Sequence, residues 1–316
     1  MSDRYPFGTP DYQRAAINVG GNVYFVNANA VAGRSSGRNA VSAGRTPEVP
    51  FASIAYAVTQ CVAGRGDRIY ALPGHTESVS SATMLALSVA GITVEGLGYG
   101  LNRPIITLNT ATTATIPVSA ANITLKNLVF SANFADIVSL FTLAACRDFR
   151  VEGCTIRATA ADMNFLHVFD TNTTDNAQDG LTFIDNEWFE PDAATLAFGL
   201  VDAAIDRLNI SRNLLVTGAA TADVAALLTI ATGKNLTNVR ITNNDLDITG
   251  NAGSVAGLFI TTDGTAGTGI IARNNLKHLD ATTELFITAT HTWGLFDNRS
   301  TAVANAQGYL LPAIDS

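Results

Sequence analysis

A short pattern recurs along the second half of the chain: an apolar residue, two variable residues, an asparagine, one more residue and a leucine. It is seen in LNISRNLLV (208–216), VRITNNDLD (239–247) and GIIARNNLK (269–277). With the first apolar residue as an anchor, the repeat extends in both directions with spacings of 24 to 32 residues. The anchors are Val94, Leu125, Val151, Phe183, Ile210, Ile241, Ile271 and Leu295. A unit of this size cannot bury its own apolar face, so it must stack on its neighbours.

The position three residues after each anchor is apolar early in the chain and asparagine later. It holds Leu97, Leu128, Cys154, Asn186, Asn213, Asn244, Asn274 and Asn298. The position two residues further holds Tyr99, Phe130, Ile156, Trp188, Leu215, Leu246, Leu276 and Ser300. Equivalent residues of stacked coils lie about 4.8 Å apart, so each amide can bond to the next one and to nearby backbone. Asparagine also tolerates the left-handed backbone of tight corners. We therefore predict a structural asparagine ladder with an apolar beginning.

A second strand-like segment lies between successive anchors and is rich in β-branched and aromatic residues. These segments are ATIPVS, VSLFTLA, NFLHVFD, AFGLVD, AALLTIA, GLFITT and ELFITAT. Helical periodicity is missing from Gly91 onward. The sequence therefore predicts an all-β fold, a right-handed parallel β-helix of about eight coils over residues 67–300. Leucine-rich repeats need a fuller leucine consensus, and β-propeller blades are longer.

The ends of a solenoid need caps, because an open sheet edge is exposed at each end. We predict an N-terminal arm (1–21), then an opening strand, an Arg/Gly-rich loop and a capping helix (22–66), and a C-terminal tail (301–316). The helix is predicted within residues 50–66, with Gly64 ending it. Its apolar face would contain Ile54, Ala57, Val58, Cys61 and Val62.

Composition excludes several classes of protein. Hydrophobic residues make up 47% and charged residues 15% of the chain, which is too apolar for disorder. The net charge of −8 and the lack of a Lys/Arg run argue against a nucleic-acid partner. No stretch reaches 18 apolar residues, so no membrane span is predicted. The start, MSDRYPFGTPDYQ, lacks the apolar region of a signal peptide, so we expect synthesis in a cytoplasm. Three cysteines form no metal spacing, and neither a metal nor a cofactor is predicted.

One long stretch resembles a known protein group. Residues 24–79 contain PFASIAYA and GDRIYALPG. They resemble the opening segment of right-handed parallel β-helix proteins of the pectin-lyase-like superfamily, and AGITVEGLGYGLNRPII (90–106) looks like the following coil. The resemblance covers about residues 22–300 and implies the β-helix fold. That fold serves lyases, hydrolases, adhesins and virion proteins. The form of this chain looks most like proteins of tailed bacteriophages, where β-helices serve as tailspikes or capsid decorations.

An enzyme of this fold would need two or three carboxylates on one face. The candidate acids are Asp170, Asp175, Asp179, Asp185, Glu187, Glu190, Asp202 and Asp206. Asp170 and Asp202 follow comparable strands and could stack, although aspartate is also a favoured corner residue. The Gly-His-Gly and Arg-x-Lys motifs of pectin hydrolases are absent. Lyases of this fold use a calcium site with a nearby arginine, and Arg207 and Arg212 lie near acids in sequence. The histidines, none in such a motif, are His75, His167, His278 and His291.

These observations favour a non-enzymatic structural protein of a phage virion. We expect a capsid decoration or cement protein that binds the major capsid protein as a homotrimer and is located on the capsid surface. The candidate anchoring residues are Arg4, Tyr5, Phe7, Arg34, Arg38 and Arg45. The alternative is a tailspike-like polysaccharide depolymerase or glycan-binding receptor protein, with Asp170 and Asp202 as its catalytic pair. A bacterial adhesin is a third reading.

Overall fold

The eight anchors of the repeat lie side by side in one long parallel sheet. The computed structural model describes residues 20–29, 36–190, 195–217, 226–247, 260–262, 267–277 and 292–300. Each anchor pairs in register with the next, from Val94 beside Leu125 to Ile271 beside Leu295. Two earlier strands extend the same row toward the N-terminus. The predicted all-β parallel β-solenoid is confirmed.

Three sheets form the faces of the solenoid in the described part of the chain. Sheet A has ten strands: Val23–Val26, Arg68–Ala71, Thr93–Gly96, Thr124–Lys126, Arg150–Glu152, Thr182–Ile184, Asn209–Ser211, Val239–Thr242, Gly269–Ala272 and Gly294–Phe296. Sheet B has nine: Thr76–Val79, Ile105–Asn109, Val129–Asn133, Thr155–Ala158, Glu187–Glu190, Leu214–Thr217, Asp245–Asp247, Asn275–Lys277 and Arg299–Ser300. Sheet C has six: Ile116–Val118, Ile137–Leu143, Phe165–Thr171, Ala197–Val201, Ala226–Ile230 and Ile260–Thr262. A two-stranded sheet pairs Ile205–Asp206 with Leu236–Thr237.

Sheet C contains the strand-like segments that the sequence predicts between successive anchors. Six of the seven predicted segments contribute a strand to it, and the seventh, ELFITAT, lies outside the described residues. The chain thus passes from sheet A through a short corner to sheet B, then to sheet C, and returns to sheet A one coil further on. This path explains the irregular spacing of the anchors, because the connections around sheet C differ in length.

The corner between sheets A and B has a left-handed residue, but it is not the asparagine of the ladder. In seven coils the residue just before the ladder position has a φ between 50° and 60°. These residues are Asn127, Gly153, Asp185, Arg212, Asn243, Arg273 and Asp297. The expectation that the ladder asparagines themselves occupy the left-handed region is therefore wrong. Their role is hydrogen bonding, and the backbone reversal falls one residue earlier.

The five ladder asparagines form a buried, hydrogen-bonded column. The side-chain oxygen of Asn244 accepts from the backbone N–H (3.0 Å) and the amide group (2.9 Å) of Asn213. The amide group of Asn244 donates to Ile210 O (2.8 Å) and to the side-chain oxygen of Asn274 (2.9 Å). The same pattern is repeated between the other members. At the N-terminal end, the backbone N–H of Cys154 donates to the Asn186 side chain.

The apolar beginning of the ladder differs from the prediction at Leu97. Leu128 and Cys154 are buried in the main core, as expected for members of the same stack. Leu97 is only partly buried and packs on a separate small cluster of Phe25, Tyr70 and Leu72. The stack therefore begins one coil later than predicted.

The row of residues two positions after the ladder also begins one coil later than predicted. From Phe130 to Ser300 the predicted residues pair in register within sheet B. The neighbour of Phe130 on the N-terminal side is Ile106, however, and Tyr99 is 89% exposed. A 3₁₀ turn, Gly100–Asn102, follows Tyr99 and delays the strand by several residues. Tyr99 therefore belongs to a projecting loop.

The capping helix, α1, is shorter than predicted. It spans Ile54–Gln60, with the Ser53 hydroxyl accepting from the Tyr56 N–H at its N-terminus. Glu77 of sheet B accepts from the Ile54 N–H at 2.7 Å, so a carboxylate also satisfies the first turn. The helix ends before Val62, which is exposed, so its predicted place on the apolar face is wrong.

The core is linked across all three sheets by aromatic rings. Phe183 of sheet A stacks on Phe169 of sheet C with centroids 4.7 Å apart, and Phe198 meets both rings edge-on. Trp188 of sheet B lies 5.7 Å from Phe198. A Cβ on Gly199 would overlap the Phe169 ring, so glycine is needed at that position. The middle coils are therefore packed too closely for sheet C to shift against sheet A.

Candidate functional site

Sheet C carries the candidate catalytic pair on its outer side. In the strand Phe165–Thr171, Val168 and Phe169 are consecutive and both belong to the core. Strict alternation would send one of them to solvent, so the side chains depart from it here although the register with both neighbouring strands is continuous. Asp170 comes next and is half-buried between Thr142 and Leu200 of the neighbouring coils.

Asp202 lies in the next coil but not directly above Asp170. The register places Asp170 beside Leu200, two residues before Asp202. Asp202 comes just after its strand, and its backbone N–H donates to the Thr171 hydroxyl at 2.8 Å. The two carboxylates are therefore neighbours offset along the strand direction rather than members of one row. No ion pair joins either carboxylate to a described basic residue.

Asp170 is the carboxyl whose titration is most altered. Burial raises the pKa of Asp170 to about 6, and the negative charge of Asp202 adds to the rise. A carboxyl that titrates near pH 6 can exchange a proton under physiological conditions. Asp170 thus has the property that a general acid requires.

His167 lies on the same strand as Asp170, and its buried ring is near enough to Asp202 for that charge to affect its pKa. Its Nδ1 lies 3.1 Å from Val138 O, and since a carbonyl only accepts, Nδ1 carries the proton. Nε2 therefore keeps its lone pair in the neutral ring. Burial lowers the pKa of His167, opposed by the hydrogen bond with Val138 and by the charge of Asp202. In the sequence, the sign of this residue was a histidine within an apolar strand, three residues before Asp170.

Replacing Asp170 with asparagine should stabilise the protein at neutral pH. The folded-state pKa of about 6 lies above the ordinary value of 3.8, so the folded protein holds this proton more tightly than the unfolded chain. Ionisation of Asp170 therefore destabilises the folded protein. This loss of stability is absent below pH 4, grows as the pH rises to 6 and is complete above that. A pKa difference of about two units corresponds to about 3 kcal/mol of lost stability. Because the Asp170 side chain is partly open to solvent, we expect Asp170→Asn to gain about 1–2 kcal/mol.

Urea unfolding at pH 4 and at pH 8 measures this effect. The Asp170→Asn variant should be more stable than the native protein at pH 8 and equal to it at pH 4. Asp162→Asn, at an exposed position in the preceding loop, is the control and should show no such difference. Equal stability of Asp170→Asn and the native protein at pH 8 would contradict the raised pKa.

Most of the other candidate acids are used to hold coils together. Asp175 accepts from Lys234 (2.8 Å) and from a backbone N–H one coil away. Asp185 accepts from the Nε and Nη2 of Arg212, each at 2.7 Å, and these bonds lower the pKa of Asp185. The corner role expected for aspartate fits these residues.

Two more acids, in the connections from sheet C to sheet A, follow this pattern. Asp179 accepts from Arg147 (3.0 Å) and from the Asp206 N–H (2.9 Å). Asp206 in turn accepts from Thr237, Asn238 and Arg207. Glu187 accepts from the Thr155 hydroxyl. Glu190 is buried, and Arg207 and Arg212 are both engaged in ion pairs rather than directed at Asp170.

Of the anchoring candidates, only Arg38 and Arg45 lie within the described residues. Arg38 is exposed and makes one long hydrogen bond to Ser42 (3.4 Å). Arg45 is also exposed, and its guanidinium lies over the Tyr24 ring at 4.7 Å. The backbone of this loop is pinned to the first strand, with the Phe25 N–H donating to Gly44 O. Arg4, Tyr5, Phe7 and Arg34 lie outside the described residues.

Two further properties concern the described residues alone. They contain no group of three histidine, cysteine, aspartate or glutamate side chains placed to hold a metal ion. Their helices include none with the length and apolar character needed to cross a membrane. His278 and His291 lie outside the described part of the chain.

Comparison with known proteins yields structural similarity only. No protein-family model and no curated protein matches the chain. A rhamnogalacturonan lyase is 13% identical with a TM-score of 0.42, over 92% of this chain and 90% of that chain. The pectate lyase Pel9A is 12% identical with a TM-score of 0.41, over 90% and 78% of the two chains. A periplasmic alginate epimerase has a TM-score of 0.26.

Proposed function

We propose that this chain is a structural protein of a phage virion. In this proposal it decorates the outer surface of the capsid shell as a trimer, bound to the major capsid protein. The observation that supports it is that most of the candidate acidic side chains bond to other parts of the solenoid. Asp175, Asp179, Asp185 and Asp206 all bond to a neighbouring coil, so the charges stiffen the solenoid instead of lining an open groove. A stiff body with long flat sides suits assembly.

In this proposal the N-terminal arm and the Arg-bearing loop grip the shell. Arg38 is exposed at the N-terminal end of the solenoid, where the backbone of the preceding Gly37 bonds to Asn27 just after the first strand. An acidic protein needs such local positive charge to approach an acidic shell, because its net charge of −8 repels other anions. The shell gains stability in turn, because the bound protein favours the assembled form.

The test is a cryo-EM map of particles that carry this protein. Density at regular lattice positions on the shell would support decoration and identify the terminus in contact. Density at the tail tip alone would overturn it in favour of the second candidate. Deleting residues 1–20 should abolish binding to particles while the circular dichroism spectrum stays native. Unimpaired binding by the deleted protein would reject the arm as the anchor.

A second candidate, a polysaccharide-cleaving enzyme, is favoured by the carboxyl pair on sheet C. Asp170, with its pKa near 6, would give a proton to the glycosidic oxygen as the bond from that oxygen to the anomeric carbon breaks, while Asp202 would take a proton from the water whose oxygen bonds to that carbon. The double variant Asp170→Asn/Asp202→Asn should then lose cleavage of the polysaccharide by at least about 1,000-fold. Asp175→Asn, which removes a corner ion pair, is the control and should keep the activity. Full activity in the double variant would eliminate this candidate.

A further inference from the structure

A buried histidine, His75, joins several parts of the chain at the N-terminal end of the solenoid. It lies just before the strand Thr76–Val79 of sheet B, and its side chain has no exposed surface. Its Nδ1 is 3.0 Å from the backbone nitrogen of Ala28. Its Nε2 is 3.3 Å from the Glu77 carboxylate. Ala28 belongs to the short segment that follows the first strand of sheet A, and we call residues 27–29 the entry segment.

The two contacts of the ring show which of its nitrogens carries hydrogen. A backbone N–H can only donate, so Nδ1 is the unprotonated nitrogen that accepts from Ala28. Nε2 then carries the hydrogen and donates it to Glu77. A second proton, on Nδ1, would place two N–H groups against each other, and the bond to Ala28 would be lost. The ring therefore holds the entry segment only while it is neutral.

Glu77 supplies the charge that favours the protonated ring. Its carboxylate also accepts from the Ile54 N–H (2.7 Å) and the Ala55 N–H (3.3 Å), so the first turn of α1 holds it in place. No other charged side chain of the described residues bonds to the ring or to Glu77. An anion 3.3 Å from the ring favours the imidazolium, whereas burial and the Ala28 N–H favour the neutral ring. The site can therefore exist in two states, one bonded to Ala28 and one paired as an ion with Glu77.

The entry segment supports the loop that carries Arg38. Asn27 O accepts from the Gly37 N–H (2.8 Å), and the Asn27 N–H donates to Phe51 O (2.8 Å). A Cβ on Gly37 would overlap the backbone of Asn27 and Phe51, so the loop packs directly on the entry segment. Release of the entry segment therefore loosens the loop as well.

We propose that His75 is a pH-dependent clamp on the entry segment. At neutral pH the ring accepts from the Ala28 N–H, and the loop is held. In mildly acidic solution Nδ1 takes a proton from solvent, the imidazolium pairs with Glu77, and the entry segment separates from the ring. Histidine is the side chain that ordinarily changes charge in this pH range. The inference goes beyond the proposed function, because it concerns the N-terminal end of the solenoid whatever the solenoid binds.

Hydrogen exchange of the full chain at about pH 7.5 and about pH 5 gives the first test. After correction for the intrinsic pH dependence of exchange, the amides of residues 24–29 should be protected at least about 10-fold less at the lower pH, as expected for one lost hydrogen bond. Amides of the distant strand Thr182–Ile184 should keep their protection.

His75→Asn separates the clamp from other effects of acid. The Asn side-chain oxygen can replace Nδ1 as the acceptor for Ala28, and it takes no proton in this range, so protection of residues 24–29 should not change with pH. His167→Asn, at the other buried histidine of the described residues, is the matched control and should respond to acid as the native protein does. Loss of the response in the control, or its persistence in His75→Asn, would overturn the proposal.

Glu77→Gln tests the charge that opposes the clamp. Glutamine keeps an oxygen for the N–H groups of α1 but no charge to favour the imidazolium, so a lower pH should be needed to release residues 24–29. Release at a higher pH in this variant would contradict the proposal.

Nitrogen NMR of the imidazole of His75 in the native protein needs no variant. Nδ1 should be without hydrogen at about pH 7.5 and protonated at about pH 5. An unprotonated Nδ1 at the lower pH, or native protection of residues 24–29 there, would also overturn the clamp. None of these results depends on virion binding, so they leave the proposed function to its own test.

Discussion

Replacing Asn244 with alanine is expected to lower the free energy of unfolding by about 3–5 kcal/mol. Asn244 is fully buried and makes four side-chain hydrogen bonds. Alanine would leave the backbone N–H and one amide hydrogen of Asn213 without partners, and Ile210 O would lose the bond from the Asn244 amide. Each unsatisfied buried group costs about 1–3 kcal/mol, and water cannot reach the column to replace the lost bonds.

Urea unfolding of the Asn244→Ala variant, compared with that of the Asn275→Ala variant, tests this prediction. Asn275 is the residue just after a ladder position, and its amide bonds to Asp245 on the outer surface. Its loss should cost less than about 1 kcal/mol, because water can replace that bond. If the two variants were equally stable, the column would contribute no more than a surface hydrogen bond, and the structural role of the ladder would be rejected.

The repeat was readable from the sequence because burial acts on it in the same way in every coil. Each anchor meets the anchors above and below it, so an apolar residue is required at the same place each time. The ladder was readable for a related reason: an asparagine that bonds to the next asparagine must recur at one position. Regularities that depend on a neighbouring coil therefore leave a trace in the sequence.

The failures occur where the structure depends on contacts that do not repeat. The conformation of the loop at Tyr99 depends on hydrogen bonds from Arg103 to Leu128 O and Gly153 O. No pattern of residue types in the sequence predicts these bonds. The glycines on either side of Tyr99 were the local sign that a strand was interrupted. Val62 was misplaced because the helix ends at Gln60, before Gly64 is reached.

The candidate site could be predicted only in part. The aspartates at 170 and 202 could be chosen from the sequence because each follows an apolar strand of comparable pattern. Their offset could not, because it depends on the register that places Asp170 beside Leu200. The raised pKa of Asp170 arises from burial and from the charge of Asp202, and both depend on how the neighbouring coils pack around it.

Replacing Phe169 with alanine is expected to lower the free energy of unfolding by about 3–5 kcal/mol. The ring is fully buried, stacks on Phe183 of sheet A and meets Phe198 edge-on. The cavity would not collapse easily, because Gly199 has no side chain to move into it. Phe189→Ala is the matched control in sheet B, where the ring is 37% exposed, and should cost less than about 1 kcal/mol.

Hydrogen exchange of the Phe169→Ala protein shows which strands lose stability and by how much. Each coil of a solenoid contacts only its neighbours, so local stability is a sum of short-range terms. Amides of the strands Phe165–Thr171 and Thr182–Ile184 should lose the most protection, since Phe169 joins these two strands across the core. Helix α1, several coils away, should keep its native protection at denaturant concentrations below the main transition. Equal loss in α1 would mean that the solenoid unfolds as one unit, and the nearest-neighbour account of its stability would then be wrong.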